Sequence, residues 1–265
     1  MVGSRKRAFA RFNWLGLGCI VAVLGVWQLV VSTHLISYSS LPGPIQIWSG
    51  FRSLAGSGGG LWSAVEHTVQ CVLLAWVIGV AIGGVAGLLI ALNPTVAGWG
   101  NASVDLFRSL PVVALIPIAI LIWGTASKTE VILGAYAALW PMLINTAGGV
   151  RGVSPRLRDV ARTMELSRWE TLRKIVLPST GGAMLVGARL ALATSLVICV
   201  VAEMLGLQSG VGNQLVLEQG AGQAGRTWAY ILVIGVLGLI ANAGLTKAVR
   251  MIFPGVSAVS ERAVQ

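Results

Sequence analysis

Long apolar runs constrain the fold of this chain more than any other feature of its sequence. A bilayer-spanning helix needs about 20 mainly apolar residues. The chain has 55% hydrophobic and only 11% charged residues, whereas soluble domains carry about a quarter charged residues. The sequence therefore predicts an all-α membrane protein with six transmembrane helices. The six runs cover about residues 14–33, 64–92, 102–123, 129–149, 183–206 and 227–250.

The distribution of basic residues explains the net charge of +10. Nucleic-acid binding would require basic and aromatic side chains interleaved on a polar face, but here the basic residues lie at the edges of apolar runs. Fourteen Lys and Arg residues flank the N-terminus, the 150–180 loop and the C-terminus, against three in the loops on the other side. The positive-inside rule then predicts that both termini and the 150–180 loop are cytoplasmic. No nucleic-acid partner is predicted.

The 150–180 loop is the most informative polar segment. Its residues predict a helical hairpin in which one helix carries an apolar stripe at positions i, i+3, i+4 and i+7, an arrangement that favours docking onto a partner. The stripe consists of Leu157, Val160, Ala161 and Met164. Ser154 and Pro155 predict an N-cap and a first-turn proline for this helix. Ser167 and Glu170 predict a capping box that opens a second short helix.

This hairpin resembles the "EAA" loop of the permease subunits of bacterial ATP-binding-cassette importers, whose pattern is Glu-Ala-Ala, three residues, Gly, nine residues, Ile-x-Leu-Pro. Asp159 stands at the Glu position, Val160 and Ala161 at the alanines, and Ile175 with Leu177-Pro178 at the end. Glu165 takes the place of the glycine. A left-handed turn is unfavourable at a glutamate, because only glycine adopts positive φ without steric cost.

The resemblance extends over residues 14–250 and is greatest to the nitrate, taurine, alkanesulfonate and thiamine-precursor permeases. It implies one permease domain over residues 1–265 with a type I importer fold, in the inner membrane of a bacterium. It also implies a second copy of the chain, two cytoplasmic ATPase subunits and an extracytoplasmic solute-binding protein. The ATPase-docking residues would be Leu157, Asp159, Val160, Ala161, Met164, Glu165 and Ser167. Further stretches that carry the resemblance are Leu41-Pro42-Gly43-Pro44, Phe107-Arg108-Ser109-Leu110-Pro111, Trp140-Pro141, Ser167-Arg168-Trp169 and Glu203-Met204 with Ser209-Gly210-Val211-Gly212.

The sequence predicts neither an enzyme nor a cofactor-binding protein. It contains no Gly-x-x-x-x-Gly-Lys-Ser/Thr phosphate loop and no recognisable Ser/His/Asp set, so ATP hydrolysis is expected on a separate chain. Cys19, Cys71 and Cys199 lie inside apolar runs, and we predict packing roles for them. Neither they nor His67 suggest metal-ligand spacing, so no metal site is predicted.

A few polar residues within the apolar runs are candidates for the translocation pathway. Glu203 is the leading one, because an ionisable side chain in a membrane helix is costly and usually faces a cavity or a partner. An equally good interpretation is a carboxylate that stabilises the loop after the fifth span. The other candidates are Asn145, Thr194 and Ser195, for which hydrogen bonds between helices are the simpler expectation.

Glycine and proline add two expectations about helix geometry. Gly79, Gly83 and Gly87 recur at four-residue intervals in the second run, which predicts close helix packing within the chain more simply than a dimer seam. Pro111 and Pro141 interrupt the third and fourth runs and predict bent helices. Residues 206–225 are predicted to form a loop that is either a mobile connector or a contact for a soluble partner.

Three functions agree with these features. The first is the membrane subunit of an importer for a small organic or inorganic anion. The second is a six-span transporter driven by an ion gradient, in which Glu203 would be the coupling carboxylate. The third is a membrane scaffold that presents the hairpin to a regulator. The hairpin favours the importer, because an ion-driven transporter does not need it and no inverted repeat of broken helices is evident.

Overall fold

The structure, a computed structural model, describes residues 14–33, 40–56 and 60–252. All regular elements among these residues are helical, as predicted. In chain order the helices are α1 (Trp14–Ser32), α2 (Pro44–Gly56), α3 (Gly60–Leu92), α4 (Pro94–Arg108), α5 (Val112–Trp123), α6 (Ser127–Arg151), α7 (Pro155–Thr163), α8 (Arg168–Thr171), α9 (Leu177–Leu205), α10 (Val211–Gly220) and α11 (Ala224–Ile252).

The three long helices α3, α6 and α9 form the centre of the molecule. Helices α3 and α6 are parallel, because His67 near the start of α3 contacts Glu130 near the start of α6, and Leu88 near the end of α3 packs with Val150 near the end of α6. Helix α9 is antiparallel to both. We call the end where α3 and α6 finish and α9 begins the hairpin end, and the other the opposite end.

Small residues allow α3 and α6 to pack closely. A Cβ atom at Gly79 would meet Ala138, one at Gly83 would collide with the carbonyl oxygen of Leu139, and one at Gly87 would meet the carbonyl oxygen of Leu143. No side chain could fit between the two backbones at these positions. The glycine spacing therefore forms a helix seam within the chain, as the simpler interpretation of the sequence predicts.

The fifth span is not separated from the hairpin by a loop. It continues directly from the second helix of the hairpin. The continuous helix has 38 residues, from Arg168 to Leu205. Pro178 has no N–H, and its ring would clash with the carbonyl four residues earlier in an ideal α-helix. The helix widens instead into a π turn over Leu172–Val176, where the N–H of Leu177 bonds to the carbonyl of Leu172.

The third predicted span, residues 102–123, consists of two helices, and Pro111 interrupts it as the sequence predicts. The helix is interrupted between α4 and α5, and the axes of these two helices meet at 85°. Pro111 causes the break, because it lacks an N–H and disfavours helical geometry in the residue before it. The side chains of Arg108 and Asp105, at the end of α4, form an ion pair at 3.1 Å, as their spacing suggests.

Among the described residues, four helices are long and apolar enough to cross a membrane, or five if α4 and α5 count as one broken span. The four are α3, α6, α11 and the helix that contains α9. In the first predicted span, the apolar helix Gly18–Ser32 is shorter than these. The number of six spans therefore stays a prediction.

Residues 206–225 are not the loop that the sequence predicts, because they contain α10. Val211 and Leu215 of this helix are buried, and Glu218 forms an ion pair with Arg226 at 3.5 Å. Helix α2 buries Ile47 and leaves Trp48 exposed.

Candidate functional site

The hairpin between α6 and α9 has the two short helices that the sequence predicts. Ser154 is the N-cap residue of α7 and Pro155 occupies its first turn, as predicted, although the Ser154 side chain makes no capping hydrogen bond. The capping box of α8 is confirmed. The Glu170 N–H donates to the Ser167 hydroxyl at 3.2 Å, and the Ser167 N–H donates to the Glu170 carboxylate at 3.1 Å.

The turn between the two helices is left-handed even though it has no glycine. Glu165 has φ 51°, and it is the one non-glycine residue with positive φ in the described part of the chain. The Leu166 N–H bonds to the Ala161 carbonyl and the Glu165 N–H to the Arg162 carbonyl, both at 3.0 Å. This pair of bonds is the Schellman motif that usually ends in glycine. The turn therefore persists at the steric cost of a glutamate in the left-handed region.

The predicted apolar stripe divides into an exposed part and a buried part. Leu157, Val160 and Met164 are 40%, 48% and 64% exposed, so apolar side chains lie on the surface of an otherwise polar helix. Ala161 departs from the prediction, because it is 3% exposed and packs inside the hairpin. Asp159, at the position of the motif glutamate, is exposed and lies 3.7 Å from Arg162.

The base of the hairpin is fixed to the end of the helix bundle. Val150, Val153 and Val176 form a buried apolar cluster, and Leu88 of α3 packs against it. The Arg158 guanidinium also donates to the Val150 carbonyl at 3.0 Å. Beyond this base, the hairpin encloses a groove bordered by α3 and by basic and aromatic side chains. These are Arg158, Arg162, Arg168 and Trp169.

Glu203 is fully buried at the opposite end, where it joins three helices. Its carboxylate accepts a hydrogen bond from the Thr68 hydroxyl of α3 at 2.7 Å and one from the Gly212 N–H in the first turn of α10 at 2.7 Å. The positive end of the α10 dipole favours a carboxylate there. Gly210 has φ 94°, and its lack of a side chain leaves room for Glu203. This geometry supports the second interpretation of Glu203, as a carboxylate that stabilises the following segment.

Thr194 compensates for a proline on the neighbouring helix. Pro141 lies inside α6 and has no N–H, so the carbonyl of Ala137, four residues earlier, lacks its usual helical partner. The Thr194 hydroxyl of α9 donates to that carbonyl at 3.3 Å and to its own Ala191 carbonyl at 3.0 Å. The proline and the threonine therefore act as a pair across the two helices.

The other two pathway candidates also bond to helix backbone. The Ser195 hydroxyl is buried and donates to the Val72 carbonyl of α3 at 3.3 Å. The Asn145 amide donates to the Pro141 carbonyl within α6 at 2.8 Å. Ser195 and Thr194 thus hold α9 against two different helices, and Asn145 bonds within its own. The four candidates each contact a different partner and do not converge on one site.

The structure also brings together three side chains that the sequence analysis does not group. His67 and Cys71 of α3 and Glu130 of α6 place one ligand-type atom each within 4.8 Å of one another. The prediction of no metal site treated His67 and Cys71 separately, although their four-residue spacing puts them on one face of a helix. Glu130 is 63 residues from His67, so only the fold shows the group.

One family profile matches most of the chain. The profile of the binding-protein-dependent transport system inner membrane component matches residues 79–255. This range includes the hairpin, α9 and Glu203, and it ends beyond the last described residue.

Individual relatives cover nearly the whole chain. The chain is 28% identical over 239 residues to a permease protein of Bacillus subtilis (strain 168), SsuC, whose name assigns it provisionally to aliphatic sulfonate transport; 90% of this chain and 86% of the relative are covered. It is 28% identical to the nitrate import permease protein NrtB of Synechococcus elongatus, over 84% of this chain and 82% of the relative. Its fold is similar to a chain of the inward-facing MetNI methionine ABC transporter, with TM-score 0.65, 19% identity, and 73% and 96% of the two chains covered.

Proposed function

Since the chain belongs to the family of inner-membrane components of binding-protein-dependent transport systems, we propose that its helix bundle forms the pathway of an importer for a small oxyanion and couples to a separate ATPase. Membership of the family makes the chain the multi-pass membrane permease of an ATP-binding-cassette importer. It favours this reading over a transporter driven by an ion gradient. Beyond family membership, we propose a docking surface for the ATPase, an arrangement of the subunits and a class of substrate.

The exposed apolar face of α7 is the observation that carries the coupling role. We call this face, formed by Leu157, Val160 and Met164, the docking face. Apolar side chains on a short polar helix gain free energy when a partner removes them from water. The basic groove beside them adds charge that an acidic partner surface would complement. An ATPase subunit is the partner that this family requires.

The continuous helix from Arg168 to Leu205 gives the docking face a mechanical connection to the bundle. A displacement of the hairpin by the ATPase would move α9 as one body, because no loop lies between α8 and α9 to absorb it. Movement of α9 against α3 and α6 would then open the bundle alternately to the two sides.

The break between α4 and α5 supports a second copy of the chain. Irregular backbone at membrane depth is tolerated only where protein covers it or water fills a cavity. Ser109 and Pro111 are exposed in the single chain, and Leu121 of α5 is 87% exposed. A second copy packed against α4 and α5 would cover the break and enclose a pathway between the two chains.

Both termini and the hairpin would be cytoplasmic, with the binding protein at the opposite end.

The class of substrate follows from the names of the relatives. Sulfonate and nitrate are both small anions whose negative charge is spread over oxygen atoms. The four pathway candidates each hydrogen-bond to a group of the same chain and do not converge on one site. They therefore give no basis for selecting one anion over another. Selectivity among oxyanions would therefore lie mainly with the extracytoplasmic binding protein.

Pull-down of the chain from native membranes, followed by reconstitution, tests this proposal. We expect an ATPase chain to co-purify and to drive ATP-dependent uptake of labelled taurine or nitrate when the binding protein is present. Met164→Asp would bury an unpaired charge in the docking face, which costs several kcal/mol, and should reduce ATPase retention by more than about tenfold.

Leu217→Asp is the matched control, because Leu217 is 57% exposed but lies on α10 at the opposite end. This variant should retain the ATPase as the natural chain does. Equal retention by Met164→Asp would overturn the docking assignment. Uptake that depends on a proton gradient and not on ATP would overturn the importer function itself.

A further inference from the structure

The cluster formed by His67, Cys71 and Glu130 is the least expected polar feature of the helix bundle. The His67 Nε2 atom lies 3.1 Å from a carboxylate oxygen of Glu130 and 3.7 Å from the Sγ atom of Cys71. Cys71 and Glu130 are buried, while the side chain of His67 is 24% exposed. The cluster lies at the opposite end of the bundle and joins α3 to α6.

These separations agree with three ligands of one tetrahedral metal ion. Zinc binds histidine nitrogen and carboxylate oxygen at about 2.0–2.2 Å and cysteine sulfur at about 2.3 Å, so tetrahedral angles place the ligand atoms about 3.3–3.6 Å apart. The nitrogen–oxygen and nitrogen–sulfur distances in the cluster, 3.1 and 3.7 Å, bracket this range. The sulfur–oxygen separation is within 4.8 Å, so side-chain adjustments of up to about 1 Å would complete the geometry.

Hydrogen bonding within the chain leaves the cluster incompletely satisfied. One Glu130 oxygen contacts His67, but its other oxygen, Oε1, is buried and has no hydrogen-bond partner among the residues that the structure describes. A single histidine nitrogen also faces both the carboxylate and the thiol, although it carries at most one proton. A buried carboxylate without full compensation is costly in a membrane bundle. A cation at the point where the three ligand atoms converge would compensate the charge of the carboxylate and give the imidazole nitrogen and the sulfur one common partner.

The electrostatic surroundings of Glu130 also favour a bound cation. Glu203 lies close enough for its carboxyl group to interact with that of Glu130. Among the described residues, the ion pairs of the chain include none between either glutamate and a lysine or arginine. Two buried carboxyl groups therefore approach each other without a fixed positive charge, so they either share a proton or bind a cation, and a divalent cation would take the place of that proton.

We propose that His67, Cys71 and Glu130 bind a divalent transition-metal cation of the zinc type. The mixed set of imidazole, thiolate and carboxylate suits zinc better than magnesium or calcium, which take oxygen ligands. Three protein ligands leave one position for water, and the partly exposed edge of His67 gives the ion access from the opposite end. The bound ion ties α3 to α6 where the sequence alone suggests only packing.

This inference does not depend on the proposed transport function, because it concerns an equilibrium of the full chain alone. The chain is purified through a tag without histidines, placed in lipid nanodiscs, and titrated with zinc, with the bound metal counted by mass spectrometry. We expect one zinc ion per chain. His67→Ala and Cys71→Ser should each lower the affinity by more than about 100-fold, since loss of an outer-shell partner alone costs roughly 10–100-fold.

Two matched controls separate ligand loss from general damage. Glu66→Gln changes the exposed neighbour of His67, and Cys19→Ser removes an exposed thiol on α1, outside the cluster. Both variants should bind zinc as the natural chain does. Unchanged affinity in His67→Ala and Cys71→Ser, or the absence of a bound ion in the natural chain, would overturn the proposal.

Cobalt provides a readout that needs no folded variant at the ligand positions. Co²⁺ in the natural chain should show the charge-transfer absorption of a metal–thiolate bond, and zinc should displace it. A double variant Cys19→Ser/Cys199→Ser, which keeps only Cys71, should retain the band. If Co²⁺ binds without a thiolate band, Cys71 is not a ligand and the site is not the one proposed.

Discussion

The hairpin and the centre of the helix bundle differ in which side chains lack a partner within the chain. In the bundle, Glu203, Thr194 and Ser195 all bond to groups of the same chain. In the hairpin, Leu157 and Met164 lie exposed on a polar helix without an apolar neighbour to cover them. The difference teaches that a polar residue within a membrane helix is not by itself evidence of a pathway. Here the unpartnered surface that needs another molecule is the apolar one.

Replacement of Glu203 should have the largest effect on this contrast. Glu203→Leu leaves the Gly212 N–H buried without an acceptor, while the Thr68 hydroxyl keeps only the Ala64 carbonyl. A buried donor left unsatisfied costs about 1–3 kcal/mol, so the variant should lose about that much stability. Thermal unfolding of the purified protein, followed by its tryptophan fluorescence, measures the effect.

Glu203→Gln distinguishes a structural carboxylate from one in the pathway. The amide retains an oxygen that can accept from the Gly212 N–H, so a structural role predicts a folded variant with near-normal uptake. A pathway role predicts a variant equally well folded whose uptake is lost. The second result would break the contrast between the two regions, since the bundle would then hold a functional polar residue.

Thr194 and Pro141 offer a test of intermediate size in the same bundle. Thr194→Val removes the donor to the Ala137 carbonyl and should cost about 1 kcal/mol. In a Pro141→Ala background the same change should cost much less, because the restored backbone N–H at position 141 then bonds to that carbonyl. A double-mutant cycle on the unfolding free energy should therefore give a coupling of about 0.5–1 kcal/mol. Additive effects would show that the threonine does not compensate for the proline.

The parts of the fold that could be predicted are those that depend on local sequence. Apolar length predicts α3, α6 and α11, and the spacing of Ser167 and Glu170 predicts the capping box. Helix α10 could not be predicted, because a carboxylate from another helix, Glu203, stabilises its first turn. In the third span, Pro111 predicts the interruption, but neither hydropathy nor the proline gives the 85° angle between α4 and α5.

Site residues divide in the same way. The docking face follows from helical periodicity, so Leu157, Val160 and Met164 could be identified from the sequence, whereas the burial of Ala161 depends on how the hairpin closes on itself. The group of His67, Cys71 and Glu130 requires the parallel packing of α3 and α6. Only the His67–Cys71 half of it has a sequence signal, the spacing of four on one helix.

Glu165 provides the smallest and most local test, in the hairpin. A glutamate in the left-handed region costs roughly 1–2 kcal/mol, of which glycine would recover a part after its greater freedom in the unfolded chain is counted. Glu165→Gly should therefore stabilise the turn by about 0.5–1 kcal/mol. The amide of Leu166, which closes the turn on the Ala161 carbonyl, should then exchange its hydrogen about two- to fivefold more slowly.

Glu165→Ala is the control that isolates backbone strain from charge. It removes the same carboxylate but keeps a Cβ atom, so the Leu166 amide should exchange as in the natural chain or faster. If alanine and glycine slow the exchange equally, the glutamate acts through its charge and the turn is not strained. If only glycine slows it, the hairpin carries a strain that the bundle nowhere shows among its described non-glycine residues. A stiffer turn should then leave ATPase retention intact, because Leu157, Val160 and Met164 all precede it.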